Sequence, residues 1–318
     1  MRTFPRGLTA RGAIDRLQIA FRSGDVSALV NAYEQAVRDP RLLGLAIRLL
    51  EHHYPLGAFL KLASTLDRRI AEDGLHEGCR RFLNDVPVEW ERVLPPACEA
   101  IARSQPVIFY GNHPSLLTPF LVAASVDRCD LRYFSTSYVC HLIPSFGNVS
   151  YPMEVPLTRA WTEWRRGGWK RVLAHRLASL VHEVPEPEEA RRINRRSLES
   201  GADHVRRGGS AMICPGGGGT RDRYWFPGIG SLVKQLQERP GDGDAYLIAV
   251  HEEKCTNRSI YAWLLHKPAA DRLRVRIVFA DPIPVHAVAP PASTVEQIAE
   301  LLRVQYESLF AKAALSPH

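Results

Sequence analysis

No stretch of this chain approaches the ~18 consecutive apolar residues that a membrane-spanning helix needs. The first residues, Met1 to Gly7, lack the apolar core of a secretory signal. A cytoplasmic protein is therefore expected, with membrane contact at most peripheral. Six cysteines stand at Cys79, Cys98, Cys129, Cys140, Cys214 and Cys255. No two share the C-x-x-C spacing, and none is grouped with histidine as a zinc site requires. They read as reduced, mostly buried thiols, and no bound metal is expected. Internal repeats and low-complexity tracts are missing too. So is any block of like charges, although the formal net charge is +7. That excess sits on arginine far more than on lysine and is spread along the chain. It argues against a nucleic-acid partner and for an anionic small molecule or an anionic surface.

What is present is an ordinary globular composition, 45% hydrophobic and 24% charged, with a change of pattern partway along. Residues 10–94 read as helical. Apolar residues recur at helical spacing from Ala13 to Phe21 and again from Val26 to Tyr33, after a Ser23-Gly24-Asp25 break. Asp39-Pro40 has the form of a cap followed by a proline in the first helical position. Pro55 should break or kink the helix that follows. About four helices are expected, forming an N-terminal helical segment over residues 1–97.

Residues 98–318 alternate strands with helices, which predicts an α/β domain built on a mixed sheet flanked by helices. Val107–Tyr110 and Leu131–Thr136 read as strands, with a helix at 119–126 between them. A long polar helix at 188–207 carries acids in its first turn and arginines in its last, with Gly208 as its stop. Residues 210–214 form a strand, 229–237 a helix and 245–250 a buried strand. Residues 260–266 and Leu273–Phe279 read as a strand pair, and 293–311 as a closing amphipathic helix.

Two strand-to-loop junctions carry chemistry. In the first, Pro106-Val-Ile-Phe-Tyr-Gly-Asn112-His113-Pro-Ser115-Leu-Leu-Thr118-Pro119, an apolar strand opens onto a histidine just before a helix. A histidine there can serve as a general base if its ring is held in one tautomer, usually by a carboxylate on the other nitrogen. Where the next turn would bring such a group round stands Thr118. With Pro119 it has the form of a helix cap and first helical residue. In the second junction a strand runs into Cys214-Pro215-Gly216-Gly217-Gly218-Gly219-Thr220-Arg221. Consecutive glycines let backbone N–H groups turn toward an anion, and Thr220 and Arg221 add a hydroxyl and a guanidinium fork. The competing reading of the glycines is a plain flexible turn.

The first junction resembles the leading motif of the glycerolipid (lysophosphatidate-type) acyltransferases, Asn-His-x-x-x-x-Asp-Pro. The second resembles that family's Phe-Pro-Glu-Gly-Thr-Arg. By this resemblance His113 is the base that deprotonates an acceptor hydroxyl, Thr118 stands on the position of the orienting aspartate, and the 216–221 loop binds an acceptor phosphate. Asn112, Ser115 and Arg159 join the expected substrate-binding set; Arg159 is a loose match to the family's second-motif arginine. The departures are specific: the aspartate is a threonine, and the glutamate is lost from a loop lengthened by glycine. Ile143-Pro144-Ser145-Phe146-Gly147, Phe226-Pro227-Gly228-Ile229-Gly230 and Phe279-Ala-Asp-Pro282-Ile283 resemble further family segments, so that the likeness covers roughly residues 100–312.

Trp161, Trp164 and Trp169 lie among arginines and read as a partly buried helix, with a membrane-surface helix as the rival. His251-Glu252-Glu253 reads as the polar start of a loop. These residues are nonetheless the first candidates for a compensating carboxylate, ahead of Asp222. Three functions follow as expectations. The first is acyl transfer from an acyl-CoA or acyl-carrier-protein co-substrate to a hydroxyl or amine, with no bound cofactor. The second is a repurposed acyltransferase scaffold in specialised metabolism, which displaces a phosphate or sulfate with an internal nucleophile. The third is a non-catalytic homologue that binds a ligand or serves as a partner subunit.

Overall fold

Helix periodicity dominates the first part of the chain, and the computed structural model shows what it packs against. It describes residues 10–40, 42–52, 54–86, 88–154, 185–216, 225–241, 243–266 and 273–311. The leading helices are α1 (Ala10–Arg22), α2 (Val26–Arg38), α3 (Leu42–Glu51), α4 (Leu56–Asp73) and α5 (Leu75–Asp85). Their buried residues fall at three- and four-residue steps: Leu29, Ala32, Tyr33 and Ala36 on α2, and Ala63, Leu66 and Ile70 on α4. The Asp25 side chain caps α2 by accepting from Ala28 N at 2.8 Å. Asp39 follows the end of α2 instead of starting α3, and its carbonyl accepts from Arg48 Nη1 at 3.2 Å. Pro55 stands between α3 and α4, as a helix breaker should.

The helical reading of residues 10–94 fails at Val88–Val93, which is strand β1. Val-Glu-Trp-Glu-Arg-Val alternates with a period of two, and β1 lies parallel to a distant strand at the sheet edge. Then come α6 (Pro96–Ser104), β2 (Val107–Tyr110), α7 (Thr118–Ser125), β3 (Leu131–Thr136), α8 (Ser137–Leu142), α9 (Pro144–Gly147) and β4 (Ser150–Met153). The second half holds α10 (Pro187–Arg206), β5 (Ser210–Ile213), α11 (Gly228–Glu238), β6 (Tyr246–Glu253), α12 (Asn257–His266), β7 (Leu273–Phe279), β8 (Ile283–Pro284) and α13 (Val295–Ala311). The expected strand pair at 260–266 and Leu273–Phe279 is corrected to helix α12 and strand β7. Ile260 and Leu264, four apart, are the buried positions of α12, a helical spacing that a short apolar run conceals. Strand β6 also runs three residues further than expected, through His251, Glu252 and Glu253.

The fold class is the expected one: a mixed, mostly parallel sheet flanked by helices. Among the described residues the strand order is β1-β7-β6-β2-β5-β3-β4, with β8 on β6. Strands β6, β2, β5, β3 and β4 are mutually parallel, and β7 with β1 runs the other way. Two apolar layers cover the faces. Val107, Phe109, Ile248 and Val250 face α7 and the N-terminal helices. Ile108, Tyr110, Leu247 and Ala249 face α10, α11 and α13.

This layout places the site. The chain leaves β2 through α7 on one face and travels to β3, skipping the slot that β5 fills later. It leaves β5 through α11 on the other face and travels back past β2 to β6. Successive connections therefore diverge at the β2–β5 boundary, and an open α/β sheet binds ligands at such a switch point, outside the carboxyl ends of the strands. His113 follows β2 there, and Gly216 follows β5.

Candidate functional site

Strand β2 ends at Tyr110, and the loop that begins at Gly111 must pass very close to β6. A Cβ at Gly111 would lie 2.0 Å from the Val250 carbonyl oxygen, so only glycine permits this approach. Asn112 comes next and is buried. Its side-chain oxygen accepts from the Trp225 indole N–H at 2.9 Å, and its backbone N–H points to the Tyr306 hydroxyl at 3.4 Å. Asn112 thus holds the loop from within rather than presenting its amide to solvent. Trp225 gave no sequence signal beyond following the glycine-rich loop. Tyr306 lies on α13, far along the chain, and nothing local marks it.

His113 is half-buried. Its Nδ1 lies 3.3 Å from the Ser115 carbonyl oxygen. A carbonyl only accepts, so this contact assigns the proton to Nδ1 and leaves the lone pair on Nε2. Burial pushes the ring's pKa below its ordinary value, and the bond to Ser115 opposes that shift. The tautomer expected of a general base is thus set by a peptide group. A peptide group orients the ring but brings no full negative charge to stabilise an imidazolium. Among the described residues no carboxylate hydrogen-bonds the ring.

The carboxylate lies one layer below. Glu252, at the end of β6, is 3% exposed. Ser115 Oγ donates to its Oε1 at 2.5 Å, and Thr118 Oγ1 donates to its Oε2. Ser115 Oγ also accepts from Leu117 N at 3.0 Å. Burial raises the Glu252 pKa to about 7, against the lowering effect of the Ser115, Thr118 and Cys255 hydrogen bonds. The neighbouring Cys255 thiol is pushed up to about 12, by burial first and by Glu252 second. Asn257, at the start of α12, completes the clamp. Its N–H donates to Pro114 O at 2.9 Å, and its side-chain oxygen accepts from Leu116 N at 2.8 Å.

These contacts revise two side-chain expectations. Thr118 begins α7 but does not cap it; its hydroxyl turns inward to Glu252 and to the Ser115 carbonyl at 3.1 Å. Ser115, expected at the substrate, is fully buried in the same cluster. The His251-Glu252-Glu253 run is the strand end rather than a loop start. Period two sends Glu252 to the α7 face and His251 to the α13 face. On that second face His251 Nδ1 meets Tyr306 OH at 2.8 Å, and the ring stacks on Phe310 with centroids 4.7 Å apart.

The second junction begins as expected, with β5 leading through Cys214 to Pro215 and Gly216. Phe226 N donates to Pro215 O at 2.9 Å and closes the neck of the loop beside Trp225. Through Trp225 and Asn112, the far end of this loop is therefore tied to the residue preceding His113. Gly217, Gly218, Gly219, Thr220 and Arg221 lie outside the described residues, as do Asp222, Arg159 and the Trp161–Trp169 run. Among the described residues no cluster of His, Cys, Asp or Glu is placed to hold a metal ion. No helix there is long and apolar enough to cross a membrane.

No protein-family model matches the chain, and no curated protein sequence matches it either. Among solved structures it is similar to the 1-acyl-sn-glycerophosphate (LPA) acyltransferase, PlsC, from Thermotoga maritima, at 9% identity. That superposition covers 96% of this chain and 95% of the other, with a TM-score of 0.41. A likeness that distant assigns neither a family nor an activity, and the functional reading rests on the site itself.

Proposed function

We propose that the protein is an acyltransferase-like enzyme that moves an acyl group from a coenzyme A or carrier-protein thioester to a hydroxyl or amine. The supporting observation is the ring of His113 just beyond the carboxyl end of β2 at the switch point, with Nδ1 committed to Ser115 and Nε2 left as the basic nitrogen. In the proposed reaction Nε2 takes the acceptor's proton as its oxygen or nitrogen attacks the thioester carbonyl. The tetrahedral intermediate then collapses, the C–S bond breaks, and the thiolate leaves with the proton from the imidazolium. The 216–221 loop takes an anionic part of the substrate, with Arg221 as its guanidinium. The test is thiol release from acyl-CoA and from acyl-carrier protein with a lysophosphatidate-type acceptor and a panel of alcohols and amines. His113→Gln should lower turnover by about 10²–10⁴-fold. Near-wild-type turnover in a folded variant removes His113 from the chemistry.

One observation favours a second reading. Because no carboxylate among the described residues hydrogen-bonds the His113 ring, the loop suits an anionic leaving group better than the family's charged pair does. On this reading the repurposed site displaces phosphate or sulfate with a nucleophile from the same molecule. Release of inorganic phosphate or sulfate without any thioester separates it from acyl transfer. If neither activity is found but a stable heteromer is, the non-catalytic reading remains.

A further inference from the structure

The buried cluster beneath the His113 loop has no counterpart in the motif pattern. Its parts come from β6, the β2–α7 loop and the start of α12, which are far apart in the chain and adjacent only in the fold. Both oxygens of Glu252 are engaged, one by the loop that carries His113 and one by the helix that this loop enters: Ser115 through Oε1 and Thr118, the first residue of α7, through Oε2. The same Ser115 offers its carbonyl to His113 Nδ1. One serine residue therefore receives the ring on its backbone and is held by the carboxylate through its side chain. Thr118 adds a third connection, since its hydroxyl approaches both Glu252 and the Ser115 carbonyl.

We propose that Glu252 is the positioning residue for His113: it fixes the ring's tautomer and direction through Ser115, from the end of β6, in place of a carboxylate at position 118. Glu252 does not touch the ring and acts only through the loop. Thr118 is then more than a vacancy in a pattern, because a threonine is what the buried carboxylate needs above it. A hydroxyl donates to Glu252, whereas an aspartate there would repel it. Burial supports the assignment. At 3% exposure water is largely shut out, and the hydroxyls of Ser115 and Thr118 with the Cys255 thiol supply the donors that a buried carboxyl requires.

The inference deepens the reading of His113 as a base, but its test does not depend on turnover. Full-length protein is labelled with ¹⁵N on histidine, and the ring signals of His113 are assigned by their loss in His113→Gln. The ring nitrogen shifts then report the tautomer and the pKa of that one residue. The wild-type ring should be a single Nδ1–H tautomer. Glu252→Ala should leave Ser115 and Thr118 without their acceptor, bring the two nitrogen signals toward an average, and move the ring pKa by at least ~0.5 unit. Glu252→Gln should keep the tautomer, because its amide oxygen and NH₂ group can each meet one hydroxyl. If the Ala variant fails to fold, Ser115→Ala provides the same break, since it keeps the carbonyl and removes the link to the carboxylate. A folded Glu252→Ala or Ser115→Ala variant with a wild-type His113 ring overturns the proposal. Failure of the wild-type protein to transfer acyl groups would sink the acyltransferase reading and leave this result standing.

Discussion

Glu252 and His251 are adjacent residues on one strand, and the sheet sends them into two different environments. Glu252 faces α7, where the hydroxyls of Ser115 and Thr118 converge on it. His251 faces α13, where it meets the phenol of Tyr306 and lies flat on Phe310. Burial drives both toward the neutral form, which raises the pKa of the acid and lowers that of the base. The same physical cause thus serves two ends. On one face it yields a carboxyl group that organises the loop of His113. On the other it yields a neutral imidazole that ties the last helix to the sheet. Charge is therefore a poor guide to role here, and the groups each face presents decide what the ionisable residue does.

The most disruptive way to probe this contrast is to overload the Glu252 face. Thr118→Asp places a second carboxyl in contact with Glu252 in a buried site, where both cannot ionise together. We expect a loss of about 3–5 kcal/mol above pH 7, easing toward pH 5 as the pair holds a proton. Pairing it with Glu252→Gln should recover much of that loss. Denaturant unfolding at the two pH values measures this, and equal stability of Thr118→Asp and wild type would remove Glu252 from beneath Thr118.

The two faces should also oppose each other as pH changes. Glu252 titrates near 7 in the folded protein against an ordinary 4.5, so the unfolded chain releases this proton first. Its contribution is complete below 4.5 and declines as pH rises from 4.5 to about 7, by an amount on the order of 3 kcal/mol. His251 has a lowered pKa, so its contribution is complete above 6.5 and declines as pH falls below that value. Glu252→Gln should flatten the first slope and leave the second. Melting temperature across pH 4–8 reads both, and an unchanged slope from 4.5 to 7 would show that burial does not hold this proton.

The smallest expected effect comes from the His251 face. Tyr306→Phe removes one hydroxyl shared among His251, the Asn112 N–H and the Val250 carbonyl at 3.3 Å. It should cost roughly 1–2 kcal/mol. The His113 tautomer should not change, because that tautomer is set from the opposite face. A His113 ring that responds to Tyr306→Phe as strongly as to Glu252→Ala would dissolve the distinction between the faces.

Local pattern was enough for several elements. The apolar runs at Val107–Tyr110, Leu131–Thr136 and Leu273–Phe279 are strands with the expected bounds. Gly208 follows the long helix with a φ of +94°, the left-handed backbone that favours glycine. The misreadings have physical causes. β1 looked helical because its neighbours are, and its partner β7 lies far along the chain. α12 looked like a strand because one short apolar run fits either period. The last apolar residue of β6 is not its end, because a strand continues for as long as its ladder does. β6 pairs with β7 out to Glu253.

For the site the division is similar. The sequence by itself determined that a histidine and a glycine run would each follow a buried strand, because short apolar runs ending in Gly-Asn-His and Pro-Gly-Gly are local statements. It also determined that position 118 carries no charge. Only the tertiary structure decided that the two loops share one switch point, because strand order depends on pairings between distant segments. Only the fold, too, set Glu252 beneath Thr118 and left His251 on the other face. A strand turns alternate residues to opposite sides, and what waits on each side comes from elsewhere in the chain.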